Sequence, residues 1–203
     1  MQRQSQSQLS VGPLFDGYEA LPNTYDELFE HGRPRPAFAP VIAILDALGN
    51  DQLARAQALA ESALLQQGVT FSVYGDARGV EKIFPFCLLP RLVAAADWAR
   101  LERGLHQRLR ALGLFLDDIY GEQKIVAAGV IPAELVLGAK SYVPMLRGVK
   151  PPGGVRIHIS GVDLIRDTAG TWRVLEDNLR TPSGVSYVVE NRLMSKRMFP
   201  RAF

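Results

Sequence analysis

The stretch that most constrains the fold of this chain is residues 155–192, which reads VRIHISGVDLIRDTAGTWRVLEDNLRTPSGVSYVVENR. It contains two runs rich in β-branched and aromatic residues, a short turn between them, a polar loop and the start of a helix. Residues 167–170 (Asp-Thr-Ala-Gly) are of the types that favour tight reversals. The stretch therefore predicts a hairpin. If Arg166 pairs with Thr171, a two- or four-residue connection gives the same register between the strands.

This register decides which side chains share a face, because side chains alternate along a strand. Asp163 then lies opposite Val174 and shares its face with Glu176 and Asn178. An unpaired charge on an apolar face is costly, so the pattern predicts a cation there, and Mg²⁺ prefers such oxygen ligands. The alternative is an ordinary hairpin whose acidic side chains pair with nearby arginines. The other residues of the predicted face are mostly apolar: Ile157, Ile159, Gly161, Ile165 and Trp172.

The same residues resemble a known family. The run Asp163 … Leu175-Glu176-Asp177-Asn178 … Pro182-Ser183-Gly184 resembles the metal-binding hairpin of ATP-grasp ligases. The longer wording, from about Gly68 to the last residue, is similar to the circularly permuted ATP-grasp type 2 proteins, which are related to glutathionylspermidine synthetase-like amide ligases. The resemblance implies that Asp163, Glu176 and Asn178 hold the Mg²⁺ ions that bridge the phosphates of ATP.

Two loops supply further candidate residues. The loop after the hairpin is rich in donors, so Arg180 and the backbone around Ser183 are candidate catalytic groups for an acyl phosphate or a substrate carboxylate. The alternative is that Arg180 only neutralises the hairpin acids. Residues 75–82 combine two glycines with charges after a strand, which suits either an anion-binding turn or an exposed turn. The resemblance favours a place near the active cleft. The candidate cofactor-binding residues are Asp76 and Arg78 and, at the predicted start of the final helix, Asn191 and Arg192.

Composition sets limits on the class of protein. The formal net charge of +2 argues against a nucleic-acid binder that works by phosphate neutralisation. Cys87 is the single cysteine, so an internal disulfide is excluded, and we expect a buried thiol. No apolar run reaches the length of a membrane span, and the polar start lacks the apolar part of a signal peptide. These features predict a cytoplasmic enzyme that uses no membrane.

The expected fold class is α/β (α+β): a helical N-terminal region and the mixed-sheet catalytic lobe of a circularly permuted ATP-grasp fold, truncated. We expect a disordered or loosely docked arm over 1–23, a helical region over 24–67, and the N-terminal portion of the ATP-grasp domain over 68–203. Within these, the patterns predict a short helix at 25–31, helices at 38–48 and 51–67, and a strand at 69–74. A long helix at 91–120, with Trp98 in the core, follows.

The resemblance implies an activity, with ATP and Mg²⁺ as the cofactors. A small-molecule or peptide carboxylate would be phosphorylated by ATP to an acyl phosphate, and an amine would then form an amide. The parts of such a site that hold adenine follow the hairpin in the permuted order. We therefore expect a C-terminal ATP lobe in cis to be missing here, and this chain alone to be inactive. The alternatives are a non-catalytic binding module and an inactive fragment.

Overall fold

The computed structural model describes residues 12–72 and 81–200 of this chain. The strands of these ranges form three two-stranded sheets, each made of two strands that follow one another in the chain. This mixture of helices and small antiparallel sheets confirms the α+β class, although no larger mixed sheet occurs within the described ranges. The elements are β1 (Phe29–Glu30), β2 (Arg33–Pro34), α1 (Ala39–Gln66), β3 (Thr70–Ser72), β4 (Glu81–Ile83), α2 (Ala95–Ile119), α3 (Lys124–Ala127), α4 (Ala133–Leu137), β5 (Gly161–Arg166), β6 (Trp172–Asn178) and α5 (Val185–Met198).

The chain divides into two compact units. The first comprises Met1–Ala94, Ile165–Arg173 and Ser183–Phe203, and the second comprises Ala95–Leu164 and Val174–Pro182. The hairpin of β5 and β6 therefore contributes its tip to the first unit and its base to the second. The division at residues 23 and 67 that the sequence suggests stays a prediction.

The core of the first unit is built on α1 and α5. α1 consists of two helical segments, because Gly49 interrupts it with a φ of 70° and a ψ of 169°, and this confirms the two predicted helices. Leu64 is fully buried, and Met194 of α5 is 1% exposed in the same apolar cluster. The buried members of this cluster are Leu45, Ala60, Leu64, Phe86, Leu88, Met194 and Phe199. Burial against α1 therefore fixes α5, which follows the hairpin in the chain.

The segment before α1 differs from the prediction. Residues 25–31 form no helix; instead β1 and β2 pair, with Glu30 opposite Arg33. The tight turn between them uses positive φ at His31 (50°) and Gly32 (71°). Asp26 accepts hydrogen bonds from the backbone N–H groups of Leu28 and Phe29, so it stabilises a turn where the sequence suggested helix.

The second unit is dominated by α2, which runs through Gly113 without a break. Trp98 is 53% exposed, so its predicted place in the core is wrong. Asp118, near the end of α2, accepts hydrogen bonds from the N–H groups of Lys124 and Ile125 and so begins α3. None of the helices in residues 12–72 and 81–200 combines the length and the apolar character needed to cross a bilayer.

Candidate functional site

The turn of the hairpin is organised by Asp167. Its backbone N–H donates to the Thr171 carbonyl oxygen (2.9 Å), and its own carbonyl oxygen accepts from the Gly170 N–H (2.8 Å). Its carboxylate accepts from the N–H of Thr171 (2.8 Å), and this bond, followed by the Arg173 guanidinium, lowers the pKa of Asp167. Gly170 has a φ of 78°, the left-handed conformation that ends a three-residue loop of this kind. The predicted two- or four-residue connection is therefore wrong.

The three-residue loop changes which strand residues share a face. Arg166 and Trp172 lie on one face, with the guanidinium carbon 4.8 Å from the centroid of the indole ring. Exposure follows this pairing, so one face is half-buried and the other is exposed. The predicted place of Trp172 on the face of Asp163 is wrong. The half-buried face comprises Val162, Leu164, Arg166, Trp172, Val174 and Asp177, and the exposed face comprises Asp163, Ile165, Arg173, Leu175, Glu176 and Asn178.

One residue of β6 is out of step with the alternation. Leu175 and Glu176 are consecutive and both exposed, which is the pattern that an extra residue in a β-bulge produces. The loop length alone would turn Glu176 to the face opposite Asp163, so from the exposure of Glu176 and Asn178 we infer a bulge at Leu175–Glu176 that brings Glu176 back. Near the open end of the hairpin, a β-carbon built on Gly161 would lie 3.6 Å from the β-carbon of Asn178. This short distance agrees with both positions lying on the exposed face.

Glu176 and Asn178 are in direct contact. The Asn178 Nδ2 donates to the Glu176 Oε1 at 2.9 Å, which leaves the second carboxylate oxygen and the amide oxygen for other partners. Asp163 is exposed on the neighbouring strand. Two carboxylates and one amide oxygen are a set that fits Mg²⁺, which retains several water molecules as ligands. Within the described ranges, no group of three or more His, Cys, Asp or Glu side chains could hold a metal.

The face of Asp163, Glu176 and Asn178 is open to water. The sequence suggested that Asp163, Glu176 and Asn178 lie on an apolar face that excludes water, but all three are exposed. Their apolar neighbours are exposed too, with Ile165 at 44% and Leu175 at 66%. Water therefore solvates the two carboxylates, and no burial penalty calls for a counter-ion. The hypothesis of a metal site now depends on the kind and placement of the donor atoms.

The residue between Glu176 and Asn178 is held from the other side by α2. The Arg108 Nε and a terminal nitrogen donate to the Asp177 carboxylate at 2.6–3.0 Å, in a two-pronged ion pair. The hydrogen bond from Arg108 is the main cause that lowers the pKa of Asp177, whose side chain is 15% exposed. This pair fixes β6 at the point where the candidate ligands flank it. The Arg108–Asp177 pair was not predicted from the sequence. The alternation of side chains along the strand nevertheless turns Asp177 to the inner face, where its charge needs a partner.

The remaining predicted residues are placed as follows. Arg180 is exposed in the second unit, and Ser183 is exposed in the first, where its carbonyl oxygen accepts from Ser186 Oγ at 3.2 Å. Asn191 and Arg192 lie in the middle of α5, so their predicted place at its start is wrong. The Asn191 Oδ1 is buried and has no hydrogen-bond partner in the described part of the chain. Asp76 and Arg78 lie outside the described residues.

Comparison with known proteins identifies the family. A family model described as circularly permuted ATP-grasp type 2 matches residues 90–203, which is more than half of the chain. The chain therefore belongs to the circularly permuted ATP-grasp type 2 family.

Several relatives are similar over nearly the whole chain. An uncharacterized protein of Synechocystis sp. is 51% identical over 182 residues, which cover 89% of this chain and 38% of the relative. An uncharacterized protein of Mycobacterium leprae is 47% identical over 195 residues, covering 94% and 34%. A Frankia alni protein named "Putative glutamate--cysteine ligase 2-3" is 45% identical over 191 residues, covering 92% and 21%. The chain thus spans about a fifth to two fifths of the length of these relatives.

Proposed function

We propose that this chain supplies the Mg²⁺-binding hairpin of an ATP-dependent carboxylate–amine ligase. The observation that carries the proposal is the contact of Glu176 with Asn178 on the exposed face that also includes Asp163. Membership of the ATP-grasp family supports a ligase, and so does the name of the Frankia alni relative. A cytoplasmic location is part of the proposal, because ATP is the co-substrate.

In the proposed reaction, a substrate carboxylate attacks the γ-phosphorus of ATP, which gives an acyl phosphate and releases ADP. The amine then attacks the acyl carbon, releases phosphate and forms an amide. Such phosphoryl transfer depends on positioning and on charge neutralisation. Mg²⁺, when bound, would neutralise the charge of the phosphate oxygens. Asp163, Glu176 and Asn178 would hold this ion through their oxygen atoms, and Arg180 would orient the transferred group.

We expect the nucleotide to be enclosed by those parts of the longer relatives that this chain does not match. The electrostatic contributions to catalysis are far weaker in open water than in an enclosed cleft. Asp163, Glu176 and Asn178 are exposed in this chain. We therefore expect the hairpin to bind Mg²⁺ weakly in the 203-residue chain and to act in catalysis only together with an ATP lobe. The catalytic role of Ser183 remains part of the proposal. So does cofactor binding by Asp76, Arg78, Asn191 and Arg192.

The first test is linkage between Mg²⁺ binding and unfolding. A ligand that binds only the folded chain stabilises it by about 1.4 kcal/mol at ten times its dissociation constant. The denaturation midpoint should therefore rise with added Mg²⁺. Glu176→Gln keeps the oxygen that accepts from Asn178 but removes the charge, and it should abolish the rise. Glu102→Gln, at an exposed position of α2, is the matched control and should leave the rise intact. An equal rise in both variants would contradict the proposed site.

The second test is turnover. ADP release should be measured with panels of carboxylates and amines, for the 203-residue chain beside the full-length Synechocystis relative. We expect release by the full-length relative alone. Equal turnover by the short chain would mean that its residues already enclose the nucleotide. An Mg²⁺ response without turnover in either protein would favour a non-catalytic binding module.

A further inference from the structure

The outer side of α5 carries an apolar stripe that the described part of the chain leaves uncovered. Four aliphatic side chains of this helix are exposed, Val185 at 51%, Val188 at 66%, Val189 at 54% and Leu193 at 48%. They lie on one side of the helix, because residues three and four positions apart are neighbours on a helix surface. We call these four residues the α5 stripe.

The opposite side of α5 is already packed within the first compact unit. The Tyr187 hydroxyl donates to the Thr70 carbonyl oxygen at 3.1 Å, and the Tyr187 ring stacks on that of Phe84 at a centroid distance of 4.4 Å. Met194 is buried in the cluster that α1 contributes to. Rotating the helix to bury the stripe would break these contacts. The stripe is therefore held in place as an exposed surface.

The residue types of the stripe do not suit a helix surface that stays in water. Valine is β-branched and has a lower helix propensity than Glu, Lys or Arg, which are the usual residues at exposed helix positions. α1 has 28 residues and exposes two large aliphatic side chains, Leu59 and Leu65, whereas α5 exposes four in 14 residues. A continuous apolar patch of this kind indicates a surface that packs against a partner.

The charges beside the stripe have one sign. Arg192 and Lys196 are exposed on the same side of α5. Glu190, which is the single acidic residue of the helix, is half-buried on another side. A complementary partner therefore has aliphatic side chains at its centre and carboxylate or carbonyl oxygens at its edge.

The longer relatives contain polypeptide that could supply such a partner. More than half of the length of the Synechocystis and Mycobacterium leprae relatives lies outside the region that matches this chain. A partner that belongs to the same polypeptide is present at a high effective concentration. An apolar face is therefore readily covered in proteins of that length.

We propose that the α5 stripe is the docking face for the part of the longer family members that this chain does not match. That part packs aliphatic side chains on the stripe and places acceptor oxygens near Arg192 and Lys196. The inference rests on the proposed function only where it identifies the docked part with the ATP lobe. Because Ser183 lies two residues before α5, a lobe docked there is beside a candidate catalytic group.

The test measures how fast a cysteine on the stripe reacts with N-ethylmaleimide in two proteins. One is the 203-residue chain, and the other is a full-length hybrid in which this chain replaces the matching region of the Synechocystis relative. Cys87 is exposed and is first removed by Cys87→Ser. Val188→Cys should react about tenfold or more slowly in the hybrid than in the short chain, because the core of a docked interface is as densely packed as a protein interior.

Leu59→Cys is the matched control. Leu59 is an aliphatic residue of a helix in the same compact unit, and its exposure of 62% is close to that of Val188. It should react at similar rates in the two proteins. Equal rates for Val188→Cys, or the same slowing at both sites, would overturn the proposal. Slowing in the short chain that grows with its concentration would also overturn it, because a second copy would then cover the stripe.

A second measurement keeps the proposal testable if the hybrid fails to fold. The 203-residue chain, carrying an affinity tag, and the rest of the Synechocystis relative are produced in one cell as two polypeptides. The parent chain and Leu59→Lys should retain the second polypeptide during purification, and Val188→Lys should lose it. Retention by all three chains, or by none, would refute the docking face. Neither measurement depends on Mg²⁺, so a failed Mg²⁺ linkage test would count against the proposed metal site alone.

Discussion

The core that holds α5 against α1 gives a sharp test through two adjacent leucines. Leu64 is fully buried, whereas Leu65, the next residue of α1, is 55% exposed. Leu→Ala at a buried site removes transfer free energy and leaves a cavity, which together cost about 2–5 kcal/mol. Full burial in the cluster with Met194 places Leu64→Ala in the upper part of that range, at about 3–5 kcal/mol. Leu65→Ala should cost about 0.5 kcal/mol or less.

The measurement is urea unfolding followed by tryptophan fluorescence. The chain has two tryptophans, Trp98 in the second unit and Trp172 in the first. In a Trp98→Phe background, the signal of Trp172 reports on the first unit alone. The two alanine variants should give similar slopes of free energy against urea, so that the difference between their midpoints measures the difference in stability.

The result also bears on α5, because Leu64 and Met194 share one cluster. Loss of the Leu64 side chain should speed amide hydrogen exchange in α5, which carries the candidate residues Asn191 and Arg192. Equal losses in the two alanine variants would refute this reasoning. So would a loss below about 1 kcal/mol for Leu64→Ala, since it would mean that the site collapses without a cavity.

Two further predictions concern single contacts. The pKa of Asp177 is lowered chiefly by the hydrogen bond from Arg108, so the pair stabilises the fold above about pH 4, and this contribution is lost as the pH falls through the folded-state pKa. Urea midpoints measured between pH 2 and 7 should therefore fall less steeply with falling pH in Asp177→Asn than in the parent chain. Parallel profiles for the two proteins would contradict this prediction. Gly170→Ala should cost more than Gly68→Ala in thermal unfolding. Both glycines have positive φ, for which alanine costs about 1–2 kcal/mol. A β-carbon at Gly170 would lie 2.6 Å from the Tyr25 ring, whereas at Gly68 no atom of the described residues other than its chain neighbours would lie within 4 Å. Equal losses of stability in the two variants would mean that the Tyr25 ring moves aside without cost.

The sequence predicted the parts of the fold that depend on local chemistry. Gly49 divides α1 as expected, because glycine reaches the positive φ that ends a helical segment. The hairpin forms where β-branched runs flank Asp167 and Gly170. The same local reasoning failed at residues 25–31, where Asp26 stabilises a turn by bonding to two backbone N–H groups. Acidic residues near a chain reversal suit a turn and a helix start equally well.

The candidate site was harder to predict because its geometry depends on one extra residue in the hairpin loop and one in β6, and neither has a clear sequence signature. The loop has three residues rather than two or four, since Gly170 adopts a positive φ and Asp167 bonds across it. The bulge inferred at Leu175–Glu176 agrees with the inward position of Asp177, whose carboxylate binds Arg108 of α2. Cys87 shows the same limit: it is exposed, although composition suggested a buried thiol. Contacts with residues distant in the sequence decide whether such side chains are buried or exposed.

The bulge inferred at Leu175–Glu176 makes the faces of β6 independent of one residue, Leu175. Deleting Leu175 should restore a regular ladder and leave Glu176 and Asn178 on the face of Asp163, because the alternation of the residues that follow is unchanged. Inserting a residue between Glu176 and Asn178 should instead turn one of the two away from Asp163. The hairpin should therefore tolerate a change of length at Leu175 but not between Glu176 and Asn178.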